Sequence, residues 1–250
     1  MSEGLSPTAR VHADDNLYDH ASSLAKIERV FPPGKRLKVF DVGCGDGRLS
    51  RALVQRGHAV TGIDSNQAAV EAARQSGLEA QVADVEAAWP ADSATQDVVL
   101  ILDVLEHVVG QERVLAEAKR VLKPGGALIV AYPNEFDVRS RFELFLGRGI
   151  VHWDHRQYDA KPWSYGHVRF LRHRDLSELL ERSGFGITKV QFNFMGGGLV
   201  PRRLLPPVFR RWLTRSWPEL FSGKFVIRAT PGSAQRNPEK IVLSKTPKGL

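Results

Sequence analysis

Three glycines within five positions, in Asp41-Val42-Gly43-Cys44-Gly45-Asp46-Gly47, constrain this chain more than any other stretch. The segment follows a strand candidate, Leu37 to Val42, and precedes Leu49 to Gln55, which reads as a helix. Glycine lets a backbone turn sharply and lets a ligand come close, because no Cβ stands in the way. A strand, a glycine turn and a helix open a parallel α/β unit, and the following residues repeat the alternation. His58 to Ile63 is a strand, residues 67–76 are rich in helix formers, and Glu79 to Ala83 is a short strand. Asp97 to Leu102 (DVVLIL) fits a fully buried strand. Gln111 to Leu122 carries apolar residues at 114, 115, 118, 121 and 122, a helical spacing that Lys123-Pro124-Gly125-Gly126 should stop before a strand at Ala127 to Tyr132. Strands alternating with helices imply parallel pairing and an α/β fold.

The glycine loop does not match a nicotinamide-cofactor loop, which spaces its glycines as G-x-G-x-x-G. Here the third glycine falls one position early, and Arg48 holds the expected site. Asp41 stands two residues before the first glycine, where a carboxylate suits a ligand with a positive end. Asp64 closes the second strand, 19 residues after Gly45, and can accept both hydroxyls of a ribose. Asp84 ends the third strand and is placed to meet an adenine amino group. A cationic amino-acid end, a ribose and an adenine together describe S-adenosylmethionine.

Five segments in order, DVGCGDG (41–47), GIDS (62–65), ADVE (83–86), DVVLILDVLEHV (97–108) and LKPGGALIVAYPN (122–134), resemble the class I S-adenosylmethionine-dependent methyltransferases. The likeness covers roughly residues 35–134 and weakens toward 230. It implies an α/β fold with a Rossmann-like, doubly wound, mostly parallel seven-stranded sheet whose last strand is antiparallel. It also implies cofactor contacts at Asp41, Gly43, Gly45, Asp64, Ser65, Asp84 and Val85, with the backbone around Leu102 and Asp103 closing the methionine side. Cys44 is expected to be a small buried filler, and Asp46 a helix cap.

Methyl transfer displaces a sulfonium, so the protein mainly aligns the acceptor and excludes water. An oxygen acceptor needs its proton removed, and histidine suits that role. His107 follows the fourth strand in Asp103-Val104-Leu105-Glu106-His107. Three readings stay open there: a base, a first helical turn that merely positions groups, or a cation site. Asp103, Glu106 and His107, at i, i+3 and i+4, would share one face of a helical turn. The spacing resembles metal-assisted quinone and RNA 3′-end methyltransferases. The segment 134–170 reads as an inserted lid over the acceptor, with His152, His155, Tyr158, Trp163, Tyr165 and His167; His167 is the preferred second catalytic candidate. No Asn/Asp-Pro-Pro-Tyr/Phe tetrapeptide follows the fourth strand, which argues against DNA-base and glutamine methylation.

Residues 1–15 read as a polar tail, 16–229 as one domain and 230–250 as a C-terminal tail, with a second insertion at 195–221. There, Arg202, Arg203, Arg210, Arg211 and Arg215 interleave with Leu, Phe and Trp. That composition suits core packing with solvated arginines, an anionic membrane surface around 199–217, or a protein partner; nucleic acid is disfavoured, and no state of assembly is implied. The chain carries a formal charge of +7 and a single cysteine, which excludes an internal disulfide framework and points to a reducing, cytoplasmic setting. Without an apolar run of about 18 residues, no spanning helix is expected, and the polar N-terminus lacks a signal-peptide core. The function expected is O-methylation of a small, lipid-linked or glycan-linked acceptor, using S-adenosylmethionine. An accessory methyltransferase-like protein, similar to those associated with methionine biosynthesis, and an RNA methyltransferase are the alternatives.

Overall fold

A computed structural model describes residues 27–147, 166–194, 205–232 and 242–243. In chain order the elements are β1 (Lys38–Val42), α1 (Arg48–Gln55), β2 (Ala59–Asp64), α2 (Gln67–Gln75), β3 (Glu79–Val82), β4 (Gln96–Leu102), α3 (Gln111–Val121), β5 (Leu122–Pro133), α4 (Val138–Phe145), α5 (His173–Arg182), β6 (Phe185–Phe194), α6 (Pro207–Ser216), α7 (Pro218–Phe221), β7 (Ser222–Pro231) and β8 (Val242–Leu243). The sheet order is β3-β2-β1-β4-β5-β7-β6-β8. β1 to β5 run parallel, and β7 lies antiparallel between β5 and β6. The seven-stranded mixed sheet is therefore as the resemblance implies. Val242 and Leu243, placed in the tail by sequence, add a two-residue strand parallel to β6.

β4 shows why its sequence lacks alternation. Val98 and Leu100 pack with Val39, Leu53 and Val70 on the side of α1 and α2, while Val99 and Ile101 pack with Leu115 and Leu176 on the side of α3 and α5. Both faces of this strand are covered, so all four positions must be apolar. α3 ends at Val121 as expected, but Lys123-Pro124-Gly125-Gly126 does not separate helix from strand. It lies inside β5 as an irregularity: Gln96 pairs with Leu122, and Val98 next pairs with Ala127. Gly125, at φ 76°, absorbs the extra length.

No helix lies between β3 and β4. That connection is held instead by Trp89, which stacks on Phe40 at 5.6 Å. Arg120 of α3 donates to the carbonyls of Trp89 and Ala91, and Glu117 accepts the Trp89 N–H at 2.8 Å. α5 closes with Gly184 just past its end, at φ 82°, donating its N–H to the Glu181 carbonyl.

Tyr132, fully buried at the end of β5, ties the sheet to the returning segment 166–171. Its hydroxyl donates to the Arg169 carbonyl at 2.8 Å and accepts the Leu171 N–H at 3.2 Å. The Glu106 carbonyl accepts the N–H groups of Val168 and Arg169 on the same segment. Replacing Tyr132 by Phe leaves the partly buried Leu171 N–H and Arg169 carbonyl without this partner, an expected loss of about 1–3 kcal/mol. Urea denaturation of Y132F against wild type checks it; an unchanged midpoint would refute the assignment.

Candidate active site

The site lies at the C-terminal ends of β1, β2 and β4, where open parallel sheets bind ligands. The β1–α1 loop is fastened to the end of β2 by its own backbone. The N–H groups of Gly43 and Cys44 both donate to the Ile63 carbonyl, at 2.8 and 2.9 Å, and Gly45 N–H donates to Asp64 Oδ2 at 2.9 Å. Gly43, Gly45 and Gly47 all have positive φ. A Cβ on Gly43 would stand 2.5 Å from Val104, and one on Gly62 would stand 2.7 Å from Cys44 Sγ. A Cβ on Gly45 would meet nothing within 4 Å among the described residues, so the loop faces open space there. Cys44 is the buried filler expected, and burial pushes its thiol pKa up, away from nucleophilic chemistry.

Asp64 accepts Gly45 N–H on one oxygen and Asn66 N–H on the other, at 2.9 and 2.8 Å. Each carboxylate oxygen keeps further acceptor capacity. Ser65 beside it is exposed. Asp84 lies two residues past β3, not at its end, and is exposed. It accepts the Glu86 N–H at 2.9 Å and so shapes the turn that presents Val85. Glu86, whose role the sequence did not suggest, accepts the N–H groups of Val109 and Gly110. Asp46 accepts the Arg48 N–H at 3.2 Å and pairs with its guanidinium; the helix N-cap itself is Gly47.

Asp41 is buried beneath the loop and accepts a 2.5 Å hydrogen bond from Ser50 Oγ of α1. Burial, with Asp64 nearby, pushes its pKa up to about 7. A carboxyl held in this way stays partly protonated near neutral pH, and an arriving positive charge favours its ionised form.

β4 ends at Leu102, and Asp103 turns the chain with φ 57°, a left-handed conformation uncommon outside glycine. No helical turn forms from 103 to 107; the chain makes one tight turn, closed by His107 N–H on the Val104 carbonyl. The three residues therefore do not share a helix face. Asp103 directs one carboxylate oxygen to Lys224 Nζ of β7. The group that does come together is Glu106, His107 and His167, whose ligand atoms lie within 4.8 Å of one another. His167 thus takes the place expected for Asp103.

The rings of His107 and His167 meet edge to face with centroids 4.8 Å apart. His107 Nδ1 is 3.0 Å from the Gly166 carbonyl, and His167 Nδ1 is 3.1 Å from Glu135 Oε1. A carbonyl can only accept, so His107 carries its proton on Nδ1 and presents Nε2 as the basic nitrogen. Glu106 is almost wholly buried, and its Oε2 has no hydrogen-bond partner among the described residues. Burial and the Asp103 carboxylate push the Glu106 pKa well above the usual range. Glu135 and Lys224 were missed as site residues because each reaches its partner across a long stretch of chain. His152, His155, Tyr158, Trp163 and Tyr165 lie outside the described residues. A pocket of about 270 Å³ lined by Lys38, Thr61, Glu79 and Gln96 opens at the strand starts, the opposite end from the glycine loop.

Residues 17–190 match the family model described as a methyltransferase domain. Among curated relatives, ubiquinone biosynthesis O-methyltransferase from Hahella chejuensis is 41% identical over 140 residues, covering 50% of this chain and 58% of that one. The protein of the same name from Rhizobium leguminosarum is 30% identical over 161 residues, covering 62% of each. The chain thus spans about three fifths of the length of these relatives. An S-adenosylmethionine-dependent methyltransferase structure from Mesorhizobium loti superposes with TM-score 0.60 at 19% identity, covering 86% of this chain and 99% of that one. One from Archaeoglobus fulgidus gives TM-score 0.60 at 18% identity over 85% and 94%. With the glycine loop at the ends of the parallel strands and the domain model matched across residues 17–190, the greater part of the chain, the protein belongs to the methyltransferase-domain family of class I, S-adenosylmethionine-dependent enzymes.

Proposed function

We propose that the protein transfers a methyl group from S-adenosylmethionine to a hydroxyl of a small or lipid-linked acceptor, a quinone precursor of the kind its relatives' names indicate. The observation that carries the reading is the placement of the His107–His167 pair at the end of β4, beside the strand that ends in the glycine loop. The residues fit the cofactor. Gly45 leaves open space, Asp64 offers acceptors for a ribose diol, and buried Asp41 answers a cationic amino-acid end. Asp84, Val85, Leu102 and Asp103 would border the remainder.

The cofactor supplies the electrophilic methyl group. The chain orients the hydroxyl and takes its proton, and His107 Nε2 is the atom arranged to do so. His167, held by Glu135, would orient or share that proton.

A second reading rests on Glu106 Oε2, without a hydrogen-bond partner among the described residues, beside two imidazoles. Glu106, His107 and His167 would hold a divalent cation, which would supply Lewis acidity toward the acceptor oxygen. Manganese or zinc should then raise the melting temperature of wild type but not of Glu106→Gln. No rise, with full methyl transfer after dialysis against chelator, would leave the imidazole base as the mechanism.

Calorimetric titration with S-adenosylhomocysteine should show micromolar binding, weakened about a hundredfold or more in Asp64→Ala, which loses its acceptors to the ribose. Absence of binding to wild type would overturn the reading.

Asp41 yields a pH prediction. Its folded pKa lies above the unfolded value, so its contribution to stability falls as pH rises from about 4 to about 7 and then levels. Asp41→Asn cannot ionise. Thermal or urea melts should show its stability relative to wild type rising across that range, by about 4 kcal/mol at most. The same variant should weaken S-adenosylhomocysteine binding at pH 8. A difference that does not vary with pH would refute the assignment.

A further inference from the structure

α6 presents its apolar side outward. Val208 is 77% exposed, Phe209 44% and Trp212 49%, while Thr214 is buried on the opposite side of the helix. Arg211 and Arg215, both exposed, flank Trp212 at helical spacing. Trp212 stacks on Phe209 at 5.3 Å and meets Trp217, itself 47% exposed, edge to face at 5.3 Å. Packing of these aromatic residues on the sheet, one reading of the composition, is therefore not what the structure shows.

A second element repeats the pattern. On α4 and just past it, Phe142, Leu144, Phe145 and Leu146 are exposed, Phe145 by 83%. The topology puts both elements at one end of the sheet. α4 follows the end of β5, and α7 runs into the start of β7, whose Lys224 pairs with Pro133. β4, parallel to β5, finishes at that same end, where His107 and the glycine loop lie.

We infer that this end of the molecule docks on a lipid bilayer carrying anionic headgroups, with the α6–α7 aromatic residues entering the interface and Arg211 and Arg215 meeting the headgroups. Indoles and phenyl rings seated between arginines are the composition of elements that lie in a membrane interface. Charge points the same way: within residues 205–221 three arginines face one acid, Glu219. The surface needs no spanning segment, and among the described residues no helix is long and apolar enough to cross a membrane. For an acceptor that partitions into lipid, docking would set the site mouth at the bilayer. That consequence rests on the proposed function, whereas the docking itself does not.

Vesicle flotation tests it with the full chain. The protein should float with vesicles of phosphatidylcholine and phosphatidylglycerol, stay behind with phosphatidylcholine alone, and be released by added salt. Each arginine near such a surface is worth about fivefold in partition, so Arg211→Ala with Arg215→Ala should lose about thirtyfold. Phe209→Ala with Trp212→Ala should also weaken flotation. Both double variants should keep S-adenosylhomocysteine affinity, which separates this surface from the cofactor site and from misfolding. A wild-type protein that does not float with phosphatidylglycerol vesicles overturns the inference. So does a soluble dimer by light scattering that becomes a monomer on Trp212→Ala, which would make the face a subunit contact.

Discussion

Everything at the cofactor end depends on how tightly the first loop is drawn onto the end of β2. One carbonyl, Ile63, receives two successive N–H groups, and one carboxylate, Asp64, receives a third. This clasp allows no side chains at Gly43 or Gly62, since Val104 and Cys44 fill the space a Cβ would need. It sets the start of α1, and through Ser50 it fixes Asp41 beneath the loop. A charged group thus becomes a buried one by the geometry of its neighbours. The resulting penalty on its ionised form makes the carboxyl responsive to an incoming cation.

The acceptor side is organised differently. Its groups come from β4, β5, β7 and the 166–171 segment, joined across long intervals. The antiparallel strand β7 carries Lys224 to Asp103, 121 positions earlier in the chain. The Glu106 carbonyl and the Tyr132 hydroxyl capture the returning segment, and this brings His167 against His107. Backbone attachments therefore position the two imidazoles, as the proposed proton transfer would require.

Much of this was legible in the sequence where the signal is local. Strand and helix periods, the glycine spacing and the acids at or just past strand ends each depend on a few neighbouring residues. What escaped depends on distance or context. Asp103-x-x-Glu106-His107 suggested a helical turn, but the left-handed Asp103 redirects the chain and gives its carboxylate to a lysine no spacing rule connects to it. Lys-Pro-Gly-Gly looked like punctuation, yet the neighbouring strand continues past it and absorbs it as an irregularity. The aromatic residues of 207–217 were compatible with a core because composition does not say which side of a helix faces inward.

The two edges of the sheet show how differently the fold treats its unpaired backbone. β3, at one edge, is four residues long and mostly exposed, too brief to recruit another strand. β6, at the other, runs ten residues through Phe185, Ile187, Val190 and Phe192, and β8 pairs with it at Lys189 and Val190. Val242 and Leu243 thus act as a short guard rail at the middle of this edge. A chain cut after Gly232 would leave the glycine-loop end of the sheet in place while opening the middle of β6 to strands of other molecules, so solubility could fail while that end still stood.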